Sequence, residues 1–234
     1  MTVLGISSSP IRNGNVDRMV RLILENSGKR SEFINLTELS YSPCGACVHL
    51  CARDNLCRLN DDLRPLYSRI IEAEALVLGT PAYFANMNGF MTVFLEKLWA
   101  FRHQRFPLEG KPFVVVSSGG LRSPQRAVEA VKCRMIAYRA HFSGSIAYVS
   151  TNIPCLKCGY GTVCEVGSSQ KVYGEEGRKK LKITTALFKR WEDSPETVCL
   201  AKDISKKIAG SLTTPQPYGF GKGFQSDDGS DAVD

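Results

Sequence analysis

Four cysteines fall in one short run, PCGACVHLCARDNLC, between Pro43 and Cys57. Cys44, Cys47, Cys51 and Cys57 have the spacing C-x2-C-x3-C-x5-C. Thiols this close serve as disulfides, as ligands of one metal ion, or as ligands of an iron–sulfur cluster. A cubane needs four sulfurs converging from one side, and Gly45 and Ala46 keep the first turn small enough for that. A tetrahedral zinc accepts four thiolates too. Zinc sites more often pair two C-x2-C knuckles, and only the first gap here has that form. The spacing favours iron–sulfur and leaves zinc open. His49 lies inside the run and reads as an exposed loop histidine or an alternative ligand.

A second group, Cys155, Cys158 and Cys164, lies in NIPCLKCGYGTVC. It reads either as free thiols or as a second metal site, completed by Cys133, Cys199, a histidine or a neighbouring chain. Cys133 and Cys199 themselves read as small buried hydrophobes. His49, His103 and His141 stand apart in the sequence, and none sits in a nucleophile motif. The absence of an acid–base triad suits redox chemistry, in which a cofactor carries the reaction and the protein orients it.

The 234 residues suffice for one full core, and 43% are hydrophobic, as in ordinary globular chains. No apolar run approaches the roughly 18–20 residues of a membrane span. The start, MTVLGISSSP, lacks the basic region and long apolar stretch of a signal peptide, so the expected place is the cytoplasm. There, nine cysteines speak for metal or redox use rather than a disulfide framework. The net charge is +7, yet the last residues, SDDGSDAVD, carry four Asp and no base. Arg178, Lys179, Lys180, Lys182, Lys189 and Arg190 form a basic cluster. It reads as a solvated helix face, or as a patch for a phosphorylated cofactor or an acidic protein. No nucleic-acid motif accompanies it.

The elements that must position these groups alternate. Strands are expected at Thr2–Ser7, Glu32–Leu36, Ala75–Pro81, Pro112–Gly120 and Gly144–Ser150. Helices are expected from Val16, at 61–75 with Asp61 or Asp62 as N-cap and Pro65 in the first turn, at Asn88–Phe101, and from a Ser123 cap. Two more are expected near Glu175–Glu192 and Pro195–Ser211. Residues 213–234 read as a flexible tail, with Tyr218, Phe220 and Phe224 able to dock. Nearly continuous apolar strands alternating with helices predict an α/β fold, a doubly wound five-stranded parallel sheet covered on both faces.

Ligands of such sheets bind beyond the carboxyl ends of the strands. After the first strand, SSSPIRNGN offers Ser7, Ser9, Arg12, Asn13, Gly14 and Asn15, then a helix N-terminus at Val16. That suits a phosphate monoester. After the third, GTPAYFANMNG offers Pro81, Ala82, Tyr83, Phe84, Asn86 and Gly89, a set suited to a planar hydrogen-bonding ring. Ser118 and Gly119 follow the fourth strand and allow close backbone approach.

These two motifs, GISSSPIRNGN and GTPAYFANMNGFMTVFLEKL, resemble the NAD(P)H-dependent FMN reductase family of flavodoxin-like fold. The resemblance covers residues 2–150. It implies an FMN whose phosphate meets the first loop and whose ring meets the second and third. The segment SPCGACVHLCARDNLCRLNDDL resembles the insertion of the iron–sulfur flavoprotein subgroup, which implies a [4Fe–4S] cluster on Cys44, Cys47, Cys51 and Cys57. That subgroup's compact motif has two residues between its second and third cysteines, and this chain has three, Val48, His49 and Leu50. The organisation implied is an FMN domain at 1–150 with a cysteine insertion at 43–60, a second cysteine group and C-terminal helices at 151–212 on the same domain, and the tail. The resemblance implies a homodimer or homotetramer and a ferredoxin-like or NAD(P)H electron donor, with neither nucleic acid nor membrane as partner. The contrasting expectation is a flavodoxin-like domain whose cysteine loop binds structural zinc or senses redox state, with little turnover.

Overall fold

A computed structural model describes residues 2–120, 122–150 and 152–211. The expected tail from 213, with Tyr218, Phe220 and Phe224, lies outside these residues. Five runs form parallel strands: β1 (Thr2–Ser7), β2 (Arg30–Asn35), β3 (Ala75–Tyr83), β5 (Pro112–Gly119) and β6 (His141–Val149). Their order across the sheet is β2-β1-β3-β5-β6. A short sixth strand, β4 (Asn86–Met87), turns back antiparallel on β3. The sequence did not announce it, because Asn and Gly around it signal a turn.

Alternation along the strands sends Leu4, Ile6, Leu76, Leu78 and Val115 to one face. There they meet α3 (Arg64–Glu72), α4 (Gly89–Lys97) and α5 (Ser123–Ala137). Val3, Val77, Val114 and Val116 go to the other face. That face is covered by α1 (Asn15–Asn26) through Val16, Met19, Val20 and Ile23, and by α7 (Pro195–Ser211) through Ala201, Ile204 and Ile208. Trp191, just before α7, is buried in the same layer. Among the described residues no helix is long and apolar enough to cross a membrane.

Several local expectations are corrected. Asp61 and Asp62 do not cap α3, whose N-cap is Leu63; Pro65 does sit in its first turn. Ser123 lies inside the first turn of α5, and its hydroxyl donates to the Gly120 carbonyl. Cys133 is exposed, because the apolar face of α5 runs through Ala127, Val128, Val131 and Met135. Cys199 is exposed on α7 as well. The helix expected over Glu175–Glu192 is instead α6 (Ser168–Lys179), kinked at Gly174 with φ 71°. Residues 180–192 form only single turns, since Gly174, Gly177 and the Thr184–Thr185 pair favour helix poorly.

Candidate functional site

The loop after β1 enters α1 through Gly14, an N-cap in extended conformation that no side chain caps. The first amides of the helix, at Asn15 and Val16, therefore point out of the helix end. Beneath the loop lies the buried carboxyl of Asp17. It accepts from the Ser7 hydroxyl at 2.5 Å and from the Asn13 N–H at 2.9 Å. Burial pushes the Asp17 pKa up, against those two hydrogen bonds. Ser7 is thus committed to the loop's internal order. Ser9 Oγ accepts from the Ile11 N–H at 3.2 Å, which closes the turn. Asn13 has φ 52°, a left-handed conformation that asparagine tolerates. Arg12 is exposed beside Glu38 at 3.5 Å. Asn15 turns away: its side chain accepts from the Trp191 N–H at 3.2 Å and donates to the Lys189 carbonyl at 3.3 Å.

At the neighbouring strand ends, Pro81 pairs with Ser118, and Gly119 approaches Ala82 so closely that a Cβ there would lie 2.7 Å from the Ala82 methyl. β3 and β4 are joined by Phe84 and Ala85, with φ 49° and 58°. Two consecutive left-handed residues make the turn that suits a tight hairpin, usually built from Asn and Gly. Here it is strained, at a cost of about 1–3 kcal/mol per residue. The strain lifts Phe84 fully into solvent and leaves Tyr83 49% exposed. Asn86 is exposed, and its side-chain oxygen accepts from the Met87 N–H at 2.9 Å. Gly89 opens α4, capped by Asn88. Asn88 also donates to the Ser8 carbonyl at 2.6 Å, so the first two loops are bonded to each other. The structure thus groups an uncapped helix end with Arg12 beside it, a linked aromatic hairpin, and the bare edge at Ser118–Gly119. These features fit the phosphate and planar ring of FMN.

The cysteine loop packs against the flank of α4. Cys44, Cys47, Cys51 and Cys57 all line one cavity of about 660 Å³, walled by Thr92, Leu95, Trp99, Arg102, Arg134 and Tyr138 among others. All four thiols are free. The three-residue gap before Cys51 is taken up by a single helical turn, α2 (Val48–Cys51), with Cys47 as its N-cap. Cys47 and Cys51 are therefore one turn apart and share a face. His49, on the same turn, is exposed. Asp61 and Asp62 act as a clasp on the loop. Asp61 accepts from the Ser42 and Leu63 N–H groups, and Asp62 from the Ser40 N–H at 2.7 Å. Lys97, its side chain wholly buried, pairs with Asp61. On the far side, Asn55 donates to the Arg105 carbonyl at 2.9 Å and Gln104 to that of Ala52 at 2.5 Å.

His103 is not isolated. Its Nε2 lies 3.1 Å from Cys51 Sγ. Burial and the neighbouring thiols Cys47, Cys57 and Cys44 push the Cys51 pKa up. Among the described residues no three such donors converge on one ion-sized point. The four-thiol donor set and the shared cavity fit the chemistry of an iron–sulfur cluster. Tyr67, beneath the loop, is buried with a hydroxyl that no hydrogen bond satisfies. It faces Cys57, whose proximity adds to burial in raising the Tyr67 pKa. Tyr138 donates to the Leu95 carbonyl at 2.6 Å and ties α5 to α4 at the cavity wall. Neither His103 nor Tyr67 carries a sequence signal, since both reach the thiols only through the fold.

Cys155, Cys158 and Cys164 lie beyond β6, and Cys155 packs in a small separate layer with Ile153 and Leu156. Cys155 is buried, Cys164 partly so, and Cys158 exposed.

Known proteins give this arrangement a context. The chain is 31% identical to an iron–sulfur flavoprotein of Methanocaldococcus jannaschii over 100 residues, 42% of this chain and 51% of that protein. It thus spans about half the length of that relative. Among solved structures, RosB with bound 8-demethyl-8-formylriboflavin-5'-phosphate superposes with a TM-score of 0.61 at 15% identity, covering 91% of this chain and 80% of RosB. A Streptococcus pneumoniae flavodoxin superposes at 0.51 and 12% identity, covering 89% and 97%. At such identities these two speak for the fold alone, which is flavodoxin-like. The profile of the NADPH-dependent FMN reductases matches residues 1–153. The strand order, the linked loops at the strand ends and that match agree: the chain belongs to the NADPH-dependent FMN reductase family.

Proposed function

We propose that this chain is an iron–sulfur flavoprotein, an FMN-dependent oxidoreductase that also carries a [4Fe–4S] cluster. The observation that supports it most is the placing of all four thiols of the cysteine loop in one cavity along α4, the helix whose N-terminus carries the ring-side loop. In this reading Ser9, Arg12, Asn13 and Gly14, with the amides of Asn15 and Val16, hold the FMN phosphate. Ser7 orders that loop through Asp17. Pro81, Ala82, Tyr83, Phe84, Asn86 and Gly89 frame one side of the ring, and Ser118 and Gly119 the other. Cys44, Cys47, Cys51 and Cys57 ligate iron.

FMN exchanges electrons in pairs or singly, and an iron–sulfur cluster exchanges them singly. The protein's part is positional. Asn88 fixes the phosphate loop against the ring loop, the strained hairpin presents Phe84 and Tyr83 as apolar walls, and the Asp61–Asp62 clasp keeps the thiols facing α4. The donor in this reading is NAD(P)H or a ferredoxin-like protein. Exposed Phe84, Phe90, Trp99 and Ile136 support a homodimer or homotetramer.

Protein purified without oxygen tests the reading. About four iron and four sulfide per chain, with one FMN, are expected. Stoichiometric zinc without iron would overturn the cluster, and a colourless apoprotein that does not take up FMN would overturn the flavin site.

A further inference from the structure

The second cysteine group divides into a pair and a single thiol. Among the described residues no three such groups are placed to hold a metal ion. Cys158 is exposed and engaged locally: its S–H donates to the Cys155 carbonyl at 3.5 Å, and its sulfur accepts from the Tyr160 N–H at 3.4 Å. Cys155 and Cys164 are drawn together instead. The chain leaves Cys155, turns, and comes back on it at Gly161, where a Cβ would lie 2.3 Å from the Cys155 carbonyl oxygen. It then passes Cys164 and reaches Gly167. The sulfurs of Cys155 and Cys164 each lie 3.2 Å from the point where a Cβ on Gly167 would stand, so they are at most about twice that distance apart. Glycine at 167 leaves the space between them open.

Hydrogen bonds from several directions hold this return of the chain. The Cys164 N–H donates to the Tyr160 carbonyl at 2.9 Å, and the buried Ser169 hydroxyl donates to the Gly161 carbonyl at 2.5 Å. Arg178 Nη1 donates to the carbonyls of Thr162 and Cys164, both at 3.2 Å. The backbone is thus set, and only the two side chains need turn. A step of one staggered well carries a cysteine sulfur about 3 Å. One such step at each residue covers the gap down to the bonded separation of about 2.05 Å. The two thiols differ in access. Cys155 is 9% exposed and packs with Ile153 and Leu156, whereas Cys164 is only partly buried. A dissolved oxidant reaches Cys164 first and leaves Cys155 to react within the chain.

We propose that Cys155 and Cys164 are a modification site, a pair that closes to a reversible disulfide with a low-molecular-weight disulfide as oxidant. Cys164 Sγ gives its proton to solvent and attacks one sulfur of the oxidant. A mixed disulfide forms on Cys164, the oxidant's own S–S bond breaks, and the first small thiol leaves. Cys155 Sγ then gives up its proton, attacks Cys164 Sγ and displaces the second small thiol. The two protein thiols lose two electrons, and the oxidant takes them up as two small thiols. A small dithiol reverses both steps. The pair lies apart from the loop at Cys44–Cys57 and does not depend on what that loop holds.

Peptide mapping of the full chain tests this. The folded protein is incubated with glutathione disulfide at about pH 8, its remaining thiols are blocked, and a tryptic digest is read by mass spectrometry. Cleavage at Lys157 parts Cys155, in the peptide 140–157, from Cys158 and Cys164, in the peptide 158–171. The two peptides are expected to appear joined, two hydrogens lighter than their sum, and to separate with dithiothreitol. Cys158→Ser, at an exposed position, is expected to keep the joined peptides, which assigns the bond to Cys164. Cys155→Ser is expected to stop at glutathione held on Cys164. Separate peptides from the parent, a bond confined to the peptide 158–171, or joined peptides that vanish in Cys158→Ser overturn the pair. A Cys155→Ser chain with no glutathione on Cys164 overturns the order of attack.

Discussion

The Sγ of Cys51 and the Nε2 of His103 stand 3.1 Å apart, although 52 residues separate them in the chain. The contact closes the segment after α4 over the cysteine loop. A ring N–H donated to a ligand sulfur withdraws electron density and makes a cluster easier to reduce. His103→Ala is therefore expected to shift the midpoint potential of the loaded protein to more negative values. His103→Gln, which keeps an N–H, is expected to recover part of the shift. A redox titration followed by electron paramagnetic resonance measures both, and equal potentials in all three proteins refute the role.

Tyr67 has a buried hydroxyl without a hydrogen bond, directed at Cys57. In the metal-free protein that hydroxyl is a burden of about 1–3 kcal/mol, so Tyr67→Phe is expected to raise the melting temperature. In the loaded protein the same hydroxyl can donate to a ligated thiolate, and removing it is expected to lower the potential. Opposite effects in the two states distinguish a sulfur donor from a packing residue.

Lys97 and Asp61 join α4 to the exit of the cysteine loop. Removing one partner of a buried ion pair leaves an uncompensated charge. Asp61→Asn is therefore expected to cost about 3–5 kcal/mol in urea unfolding. Asp61→Asn with Lys97→Met is expected to regain most of that loss. A single variant as stable as the parent would show that the pair holds nothing.

Arg12 has an exposed side chain, and its ion pair with Glu38 spans 3.5 Å. Such a pair contributes at most about 1 kcal/mol, so Arg12→Ala is expected to leave stability nearly unchanged. A charge-assisted bond to phosphate contributes about 1.5–3 kcal/mol, so FMN affinity is expected to fall roughly 10–100-fold. Fluorescence titration with FMN and with riboflavin separates the contributions, because riboflavin lacks the phosphate and its affinity is expected to stay constant.

Asp17 gives the loop after β1 a pH dependence. Burial holds its carboxyl above the ordinary value of 3.8. Its protonated form is thus favoured by folding. The stabilisation is full below the ordinary value and is lost as pH rises through the raised one. The melting temperature of the parent relative to Asp17→Asn, which cannot ionise, is expected to decline as pH rises above the ordinary carboxylate value. A difference that grows with pH would contradict the burial.

Strands β1, β3 and β5 were legible in the sequence because both their faces are apolar, which leaves little else for such short runs to be. Helix α7 was legible to its bounds. The cysteine loop was legible as a cluster of thiols, but the meaning of its extra residue was not. Three residues between Cys47 and Cys51 are what a helical turn requires to keep both sulfurs on one side, and helical geometry enters only once that turn is seen. The Asp61–Asp62 pair looked like a helix cap and proved a clasp, because its partners Ser40, Ser42 and Lys97 are brought to it by packing. Cys133 looked buried because its neighbours in sequence are apolar, yet α5 points it outward. His103 could not be read at all, since its importance lies in one distance across the fold.

Trp191 and α7 complete a sheet whose other elements are all in place by residue 149. The family match ends at 153, yet residues 191–208 share with α1 the cover over the valines of β1, β3 and β5 on that side. A growing chain therefore leaves the ribosome with the loops after β1, β3 and β5 already made and one flank of the sheet still wet. Asn15, at the start of α1, waits for Lys189 and Trp191. A later segment thus locks an earlier one, and a chain cut before residue 189 is expected to be prey for proteases and chaperones rather than a smaller stable domain.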